Sequence, residues 1–270
     1  MDGWQQMVKD RGPALIMSDK QIKAVFFDLG DTLLNFGQAD MVELFYRGAK
    51  LSYDYLTELG RPVGSYLFYC LRNLASIRYH YWLSSLKKKD FDSLKLLKKL
   101  NSRIGASLSE QQWERLSWLW YEPLSGVCSN EPDLSQTMAR LREKGLKLGI
   151  LSNTFVVGRV LEKHLERLGI LDYFEVRLYS CDFDFRKPDV RIFEIAAEKI
   201  AEPPSNVAYV GDRIETDIEP ALKLGMHAVL KTAYTNAGKK IPEGVWKIDR
   251  VGELPELIDR INAECITPKP

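Results

Sequence analysis

The run Ala24-Val25-Phe26-Phe27-Asp28-Leu29-Gly30-Asp31-Thr32-Leu33 decides the fold. Its first four residues are all apolar, so they leave no polar face. Such a segment reads as a strand covered on both sides, as in a parallel sheet between two layers of helices. The run breaks at Asp28, and Gly30 marks a turn. Outward from it, comparable apolar runs occur at 146–151, 207–210 and 228–230. Helical periodicity lies between them at 134–144, 157–168, 190–199 and 216–224. Strand and helix in alternation predict an α/β fold with a doubly wound parallel-sheet, Rossmann-like core.

Residues 38–130 are of another kind. They carry helical spacing, no clear strand, an aromatic stretch (Tyr66, Phe68, Tyr69, Tyr79, Tyr81, Trp82) and a basic one (Lys87 to Lys89, Lys95, Lys98, Lys99). The reading is an all-helical domain inserted between the first two strands, its aromatic residues forming its core and its lysines a solvated face. The chain then divides into an N-terminal extension at 1–20, a core at 21–37 and 131–270, and the helical insert at 38–130.

The 270 residues carry 45% hydrophobic and 28% charged side chains and a formal net charge of +1, so no global field favours nucleic acid or an anionic membrane surface. Cys70, Cys128, Cys181 and Cys265 form no CxxC pair, which speaks against a disulfide framework or a zinc site and for a reducing cytoplasm. The N-terminus lacks a long apolar segment, and no stretch is long enough to span a bilayer. The expected protein is cytoplasmic, a monomer or homodimer, without nucleic-acid or membrane partners.

Ligands of open α/β sheets bind beyond the carboxyl ends of the strands. Asp28, Ser152 and Asp212 fall at such ends, and Asp217 lies about a turn beyond Asp212. Two carboxylates about 4 Å apart repel by about 4 kcal/mol at an effective dielectric of 20. The cluster must protonate, pair with a cation or bind a metal, and an all-oxygen set with few protein ligands suits magnesium. Lys187 supplies a cation, and Pro188 beside it suits a helix start. The same residues also suit plainer roles: Ser152-Asn153 a turn, Asp212 a helix cap.

Phe27-Asp28-Leu29-Gly30-Asp31-Thr32-Leu33 resembles the first motif of the haloacid dehalogenase superfamily. Ile150-Leu151-Ser152-Asn153 is similar to its second, Lys187-Pro188 to its third, and Gly211-Asp212 through Asp217 to its fourth. The resemblance implies a hydrolase of phosphoric monoesters, acting on a small phosphorylated metabolite. Asp28 would be the nucleophile that becomes an aspartyl-phosphate, and Ser152, Asn153 and Lys187 would bind the phosphate. Mg²⁺ would be held by Asp28, the Gly30 carbonyl and Asp212, with Asp217 as outer support. The helical insert would be the cap that closes over the substrate.

One position departs from the pattern. Phosphatases of this superfamily usually carry a second Asp two places after the nucleophile, where this chain has Gly30; Asp31 comes one place late. General acid–base help, typically worth about 10²–10⁴-fold, would be missing. Two alternatives follow: a metal-free 2-haloacid dehalogenase, whose branch also lacks that Asp, and a non-catalytic binding protein on the same fold.

Overall fold

A computed structural model describes residues 21–102, 105 and 107–266. The expected extension at 1–20 lies outside the described residues. The chain enters the sheet at β1 (Ala24–Phe27) and leaves it for four helices: α1 (Met41–Glu58), α2 (Tyr66–Lys87), α3 (Ser93–Ser102) and α4 (Glu110–Val127). It returns through α5 (Leu134–Glu143) to β2 (Lys147–Ser152), then α6 (Gly158–Arg167), β3 (Phe174–Tyr179), α7 (Val190–Lys199) and β4 (Val207–Gly211). A π-helical turn (Ile214–Ile218), α8 (Glu219–Lys223), β5 (His227–Lys231), β6 (Trp246–Ile248) and α9 (Leu254–Ile266) complete it.

All six strands are parallel, in the order β3-β2-β1-β4-β5-β6. This is the doubly wound order, whose ligand crevice opens where the winding reverses, here between β1 and β4. Phe27 stands in register with Ile150 on one side and Val210 on the other. Successive side chains of β1 face opposite layers, as the pleat requires. Val25 and Phe27 join the helices α5, α6 and α9; Ala24 and Phe26 join α7 and α8. Every residue of β1 is fully buried, as its unbroken apolar run predicts.

Two strands escaped the sequence reading. β3 forms one edge, where Glu175 and Arg177 stay on its outer side while Phe174, Leu178 and Tyr179 are buried. Charged side chains of this kind protect an edge from pairing with another chain, and they dilute the apolar signal. β6 has only three residues. Helix α7 begins at Val190, with Asp189 as its N-cap, rather than at Pro188.

The insert is all-helical. Asp40 caps α1, Ser109 and Gln112 close a capping box on α4, and Leu56, Tyr69, Leu94, Leu97, Trp113 and Leu116 form a small core. The aromatic stretch of α2 does not form that core as expected. Tyr69 is buried, but Phe68, Tyr79, Tyr81 and Trp82 are each more than half exposed. Helix α2 buries only a narrow stripe, Tyr69, Cys70, Asn73 and Ser84, so most of its rings have nothing to pack beneath. The lysines behave as a solvated face: Lys89, Lys95 and Lys98 pair with Asp184, Asp92 and Glu110. Insert and core are joined by two strands of chain that pair at one point, Asn35 with Ser129, through hydrogen bonds of 3.1 and 2.8 Å. Among the described residues, no helix is long and apolar enough to cross a membrane.

Candidate active site

β1 ends at Phe27, and the chain turns at once. The Leu29 carbonyl accepts from the amides of Thr32, Leu33 and Leu34, so the turn closes on Leu29 rather than on Gly30. This leaves Asp28 at the mouth of the crevice, 8% exposed. Asp31 takes a positive φ of 56°, and its carboxylate accepts from the amides of Phe36 and Gly37, both at 3.1 Å. Both bonds fall on Oδ1 and tie it to the first linker toward the insert, while the residue also lines the cavity that holds Asp28.

From β4 comes Asp212, fully buried. Its Oδ1 accepts from the Thr32 hydroxyl at 3.4 Å, its Oδ2 from the Thr235 hydroxyl, and its carbonyl from the Asn236 amide at 2.7 Å. The π-helical turn then carries Asp217 back against the strand end. A β-carbon on Gly211 would lie 2.5 Å from that of Asp217, so only glycine permits this approach. Asp217 Oδ2 accepts from the Arg213 amide at 3.0 Å.

Lys187 reaches in from the loop before α7, only 2% exposed. Its ammonium donates to Asp28 Oδ1 at 2.9 Å, to Asp217 Oδ1 at 2.6 Å, to the Tyr209 hydroxyl at 2.8 Å and to the Leu151 carbonyl at 3.2 Å. Tyr209 in turn donates to the Leu151 carbonyl at 2.9 Å. Burial alone would lower the lysine's pKa; Asp217 and Asp28 outweigh it and hold the value above the ordinary one.

Carboxylate oxygens of Asp28, Asp212 and Asp217 lie within 4.8 Å of one another. At that spacing each like-charged pair repels by about 3–4 kcal/mol at an effective dielectric of 20. Burial first, then the Asp28 charge, pushes Asp212 up to about 7. Three carboxylates cluster here and one ammonium pairs with two of them, Asp28 and Asp217, so the fully ionised group of four side chains carries a net charge of about −2. A divalent cation balances that charge, and hard oxygen donors are what magnesium takes. The donor set thus fits the ion. Asp217 is the poorest candidate to hold it directly: one oxygen is ion-paired with the Lys187 ammonium at 2.6 Å and the other accepts from the Arg213 amide, whereas the oxygens of Asp212 meet only the hydroxyls of Thr32 and Thr235.

Ser152 is buried at the end of β2 and lines the same cavity, a space of about 850 Å³ that also contains Asp28, Gly30, Asn153, Lys187 and Asp217. Asn153 lines the cavity beside it, with its side chain engaged by the backbone of Lys187. Its amide donates to the Lys187 carbonyl at 2.8 Å and accepts from the Lys187 amide at 2.9 Å. The side chain is a strap that fixes the lysine's backbone. Tyr209, Thr235 and Asn236 were not foreseen as site residues. Tyr209 hides in an apolar strand, and the loop after β5 has no periodicity to flag it.

A second bridge ties the insert to this loop. Asp90, buried after α2, accepts from Arg186 at 2.6 Å and Ser84 at 2.8 Å on one oxygen, and from Ser180 at 2.5 Å on the other. Ser180 also accepts from the Thr154 amide at 2.8 Å. Arg186 and Thr154 thus tie two loops that line the cavity to one carboxylate of the insert.

Removing the lysine alone has a calculable cost. Lys187→Met leaves Asp28 and Asp217 without their cation, a loss of about 3–5 kcal/mol for a broken buried pair. For a chain of this size the thermal midpoint should fall by roughly 10 °C at neutral pH. An unchanged midpoint by calorimetry would show that the carboxylates do not depend on Lys187.

The sequence model of the haloacid dehalogenase-like hydrolase family matches residues 22–225. A relative called glyceraldehyde 3-phosphate phosphatase, from Methanopyrus kandleri, is 29% identical over 241 residues, which are 88% of this chain and 97% of that protein. The crystal structure of a HAD phosphatase from Thermococcus onnurineus superposes with a TM-score of 0.58 at 25% identity, over 88% of this chain and 98% of that one. A 2-haloacid dehalogenase from Pseudomonas syringae pv. Tomato DC3000 gives a TM-score of 0.55 at 23% identity, over 89% and 100% of the two chains, and bears on the fold alone. With the doubly wound sheet and the strand-end carboxylates, the match over most of the chain places this protein in the haloacid dehalogenase-like hydrolase family.

Proposed function

We propose that this chain is a cytoplasmic, magnesium-dependent phosphatase that hydrolyses phosphoric monoesters through a phosphorylated Asp28. The observation that carries the reading is the buried convergence of Asp28, Asp212 and Asp217 around Lys187 at the floor of a cavity large enough for a phosphorylated small molecule. The phosphatase named among its relatives supports it.

In this mechanism the Asp28 carboxylate attacks phosphorus. An Oδ–P bond forms, the ester P–O bond breaks, and its electron pair leaves with the alcohol oxygen. Lys187 balances the charge on Asp28 and on the transferring group. The Ser152 hydroxyl and the main-chain N–H of Asn153 hold phosphoryl oxygens. Water then attacks the aspartyl-phosphate, releasing phosphate and restoring Asp28. Asp28, the Gly30 carbonyl and Asp212 would hold magnesium, whose charge neutralises the phosphate. Asp217 keeps Lys187 in place, and the helical insert acts as a cap that excludes water.

With Gly30 in place of a second Asp, and Asp31 Oδ1 held by the amides of Phe36 and Gly37, neither step has a carboxylic acid at the usual position two residues after the nucleophile. Good leaving groups should therefore be favoured, and the phosphoenzyme should accumulate. Gly30 also favours the dehalogenase reading, but a metal-free site gains nothing from three clustered carboxylates. A panel of aryl, acyl and alkyl phosphates, assayed with magnesium and with EDTA, tests the proposal. The expected result is magnesium-dependent turnover, fastest on aryl and acyl phosphates, with a burst. Halide release from a 2-haloacid in EDTA, without phosphatase activity, would overturn it.

A further inference from the structure

The helical insert contains a second cavity of about 820 Å³, walled by Phe45, Ile77, Trp82, Phe91 and Trp120 among others. It opens onto the catalytic cavity: Tyr81, Tyr121, Phe155 and Val156 line both. The space is partly open to solvent, and its walls are mostly apolar. An apolar space of this size, reached only a few residues from the nucleophile, has the dimensions and character of a ligand site. The rings of Tyr81 and Trp82 stay out of the insert's own core, more than half exposed. Among the described residues, no carboxylate lines the chamber, and its one charged residue is Arg78. Ser117 adds a buried hydroxyl without a hydrogen-bond partner.

We infer that this chamber receives the leaving group, and that the substrate is the phosphate monoester of a phenol bearing a large apolar substituent. The inference rests on the phosphatase reading above and narrows it. A three-carbon polar fragment, such as the one the Methanopyrus kandleri relative's name describes, would leave the chamber empty or set its polar groups against rings with few partners. The chemistry at Gly30 points the same way. With no acid to protonate the departing oxygen, the P–O bond breaks most readily when its electron pair leaves on a phenoxide, whose conjugate acid has a pKa near 10. The phenoxide takes its proton from water, and hydrolysis of the aspartyl-phosphate releases inorganic phosphate. One structural feature thus accounts for the missing acid and for the apolar walls together.

The experiment is a ladder of 4-alkylphenyl phosphates from phenyl to 4-octylphenyl, held below their micellar concentrations, with magnesium. The alkyl chain leaves the phenol's acidity nearly constant, so the ladder reads burial alone. kcat/KM should climb by about fourfold per methylene. Ile77→Trp, which puts bulk into the chamber, should flatten the slope whatever it does to the absolute rate. A flat or falling ladder in the wild type, with every rung hydrolysed, overturns the chamber's role and leaves the phosphatase reading standing. If no rung turns over, that reading fails, and titration with 4-octylphenol, read by quenching of tryptophan fluorescence, decides the chamber by itself. Saturable quenching that Ile77→Trp abolishes supports an apolar ligand there; no quenching overturns it.

Discussion

Asp28→Asn should lower kcat on every phosphate ester by at least about 10⁴-fold, as loss of a covalent nucleophile does elsewhere. That factor corresponds to about 5 kcal/mol of barrier. The substitution keeps shape and volume and removes one oxygen's charge. Lys187 loses one of its two carboxylate partners but keeps Asp217 at 2.6 Å, Tyr209 at 2.8 Å and the Leu151 carbonyl at 3.2 Å. Asp212 meanwhile is relieved of the neighbouring charge that helps push it up to about 7. These changes oppose one another, so the thermal midpoint should move by only a few degrees. Lost activity in a protein that melts like the wild type would therefore report chemistry rather than unfolding. Residual turnover above one part in a hundred would mean that Asp28 is not the nucleophile.

Gly30→Asp should have the opposite sign. A β-carbon built at Gly30 meets nothing within 4 Å, and the backbone there does not require a positive φ. The turn closes through the Leu29 carbonyl and would survive the change. The new carboxyl would stand two residues from Asp28, where it could protonate a departing alkoxide and later take a proton from water. Alkyl phosphates, whose alcohols leave poorly, should gain about 10²–10⁴-fold in kcat, and aryl phosphates far less. The telling quantity is the aryl-to-alkyl ratio, which should collapse. Equal gains on both, or none on either, would show that the missing acid does not limit this enzyme.

Much of this site is legible in the chain. The four apolar residues before Asp28 can be satisfied only by a strand buried on both faces, and every one of them is. Ser152, Lys187, Asp212 and Asp217 each sit in a short local pattern, and the sheet order brings their segments together. What stayed hidden depends on packing partners far away in sequence. Tyr209 reads as one more apolar strand residue until its hydroxyl is seen between Lys187 and the Leu151 carbonyl. The sequence around Asn153 gives no sign that its side-chain amide straps the backbone of Lys187. Thr235 and Asn236 belong to a loop whose shape only β5 and Asp212 define. The exposed rings of α2 show the reverse case. Helical spacing says which residues share a face, but not whether another helix will cover it.

Asp90 gears the insert to the catalytic lysine. Lifting the insert about the Asn35–Ser129 pairing must first break the grip of Asp90 on Arg186 and on Ser180. Hydrogen bonds to a charged group are worth about 1.5–3 kcal/mol each. Arg186 is the immediate neighbour of Lys187, and Ser180 steadies the loop that follows Ser152. In the proposed mechanism, opening of the insert would unbrace both loops in the same stroke. Release of product and slackening of the machinery would then be one event, and only a shut insert would present a fully tensioned site to the next ester.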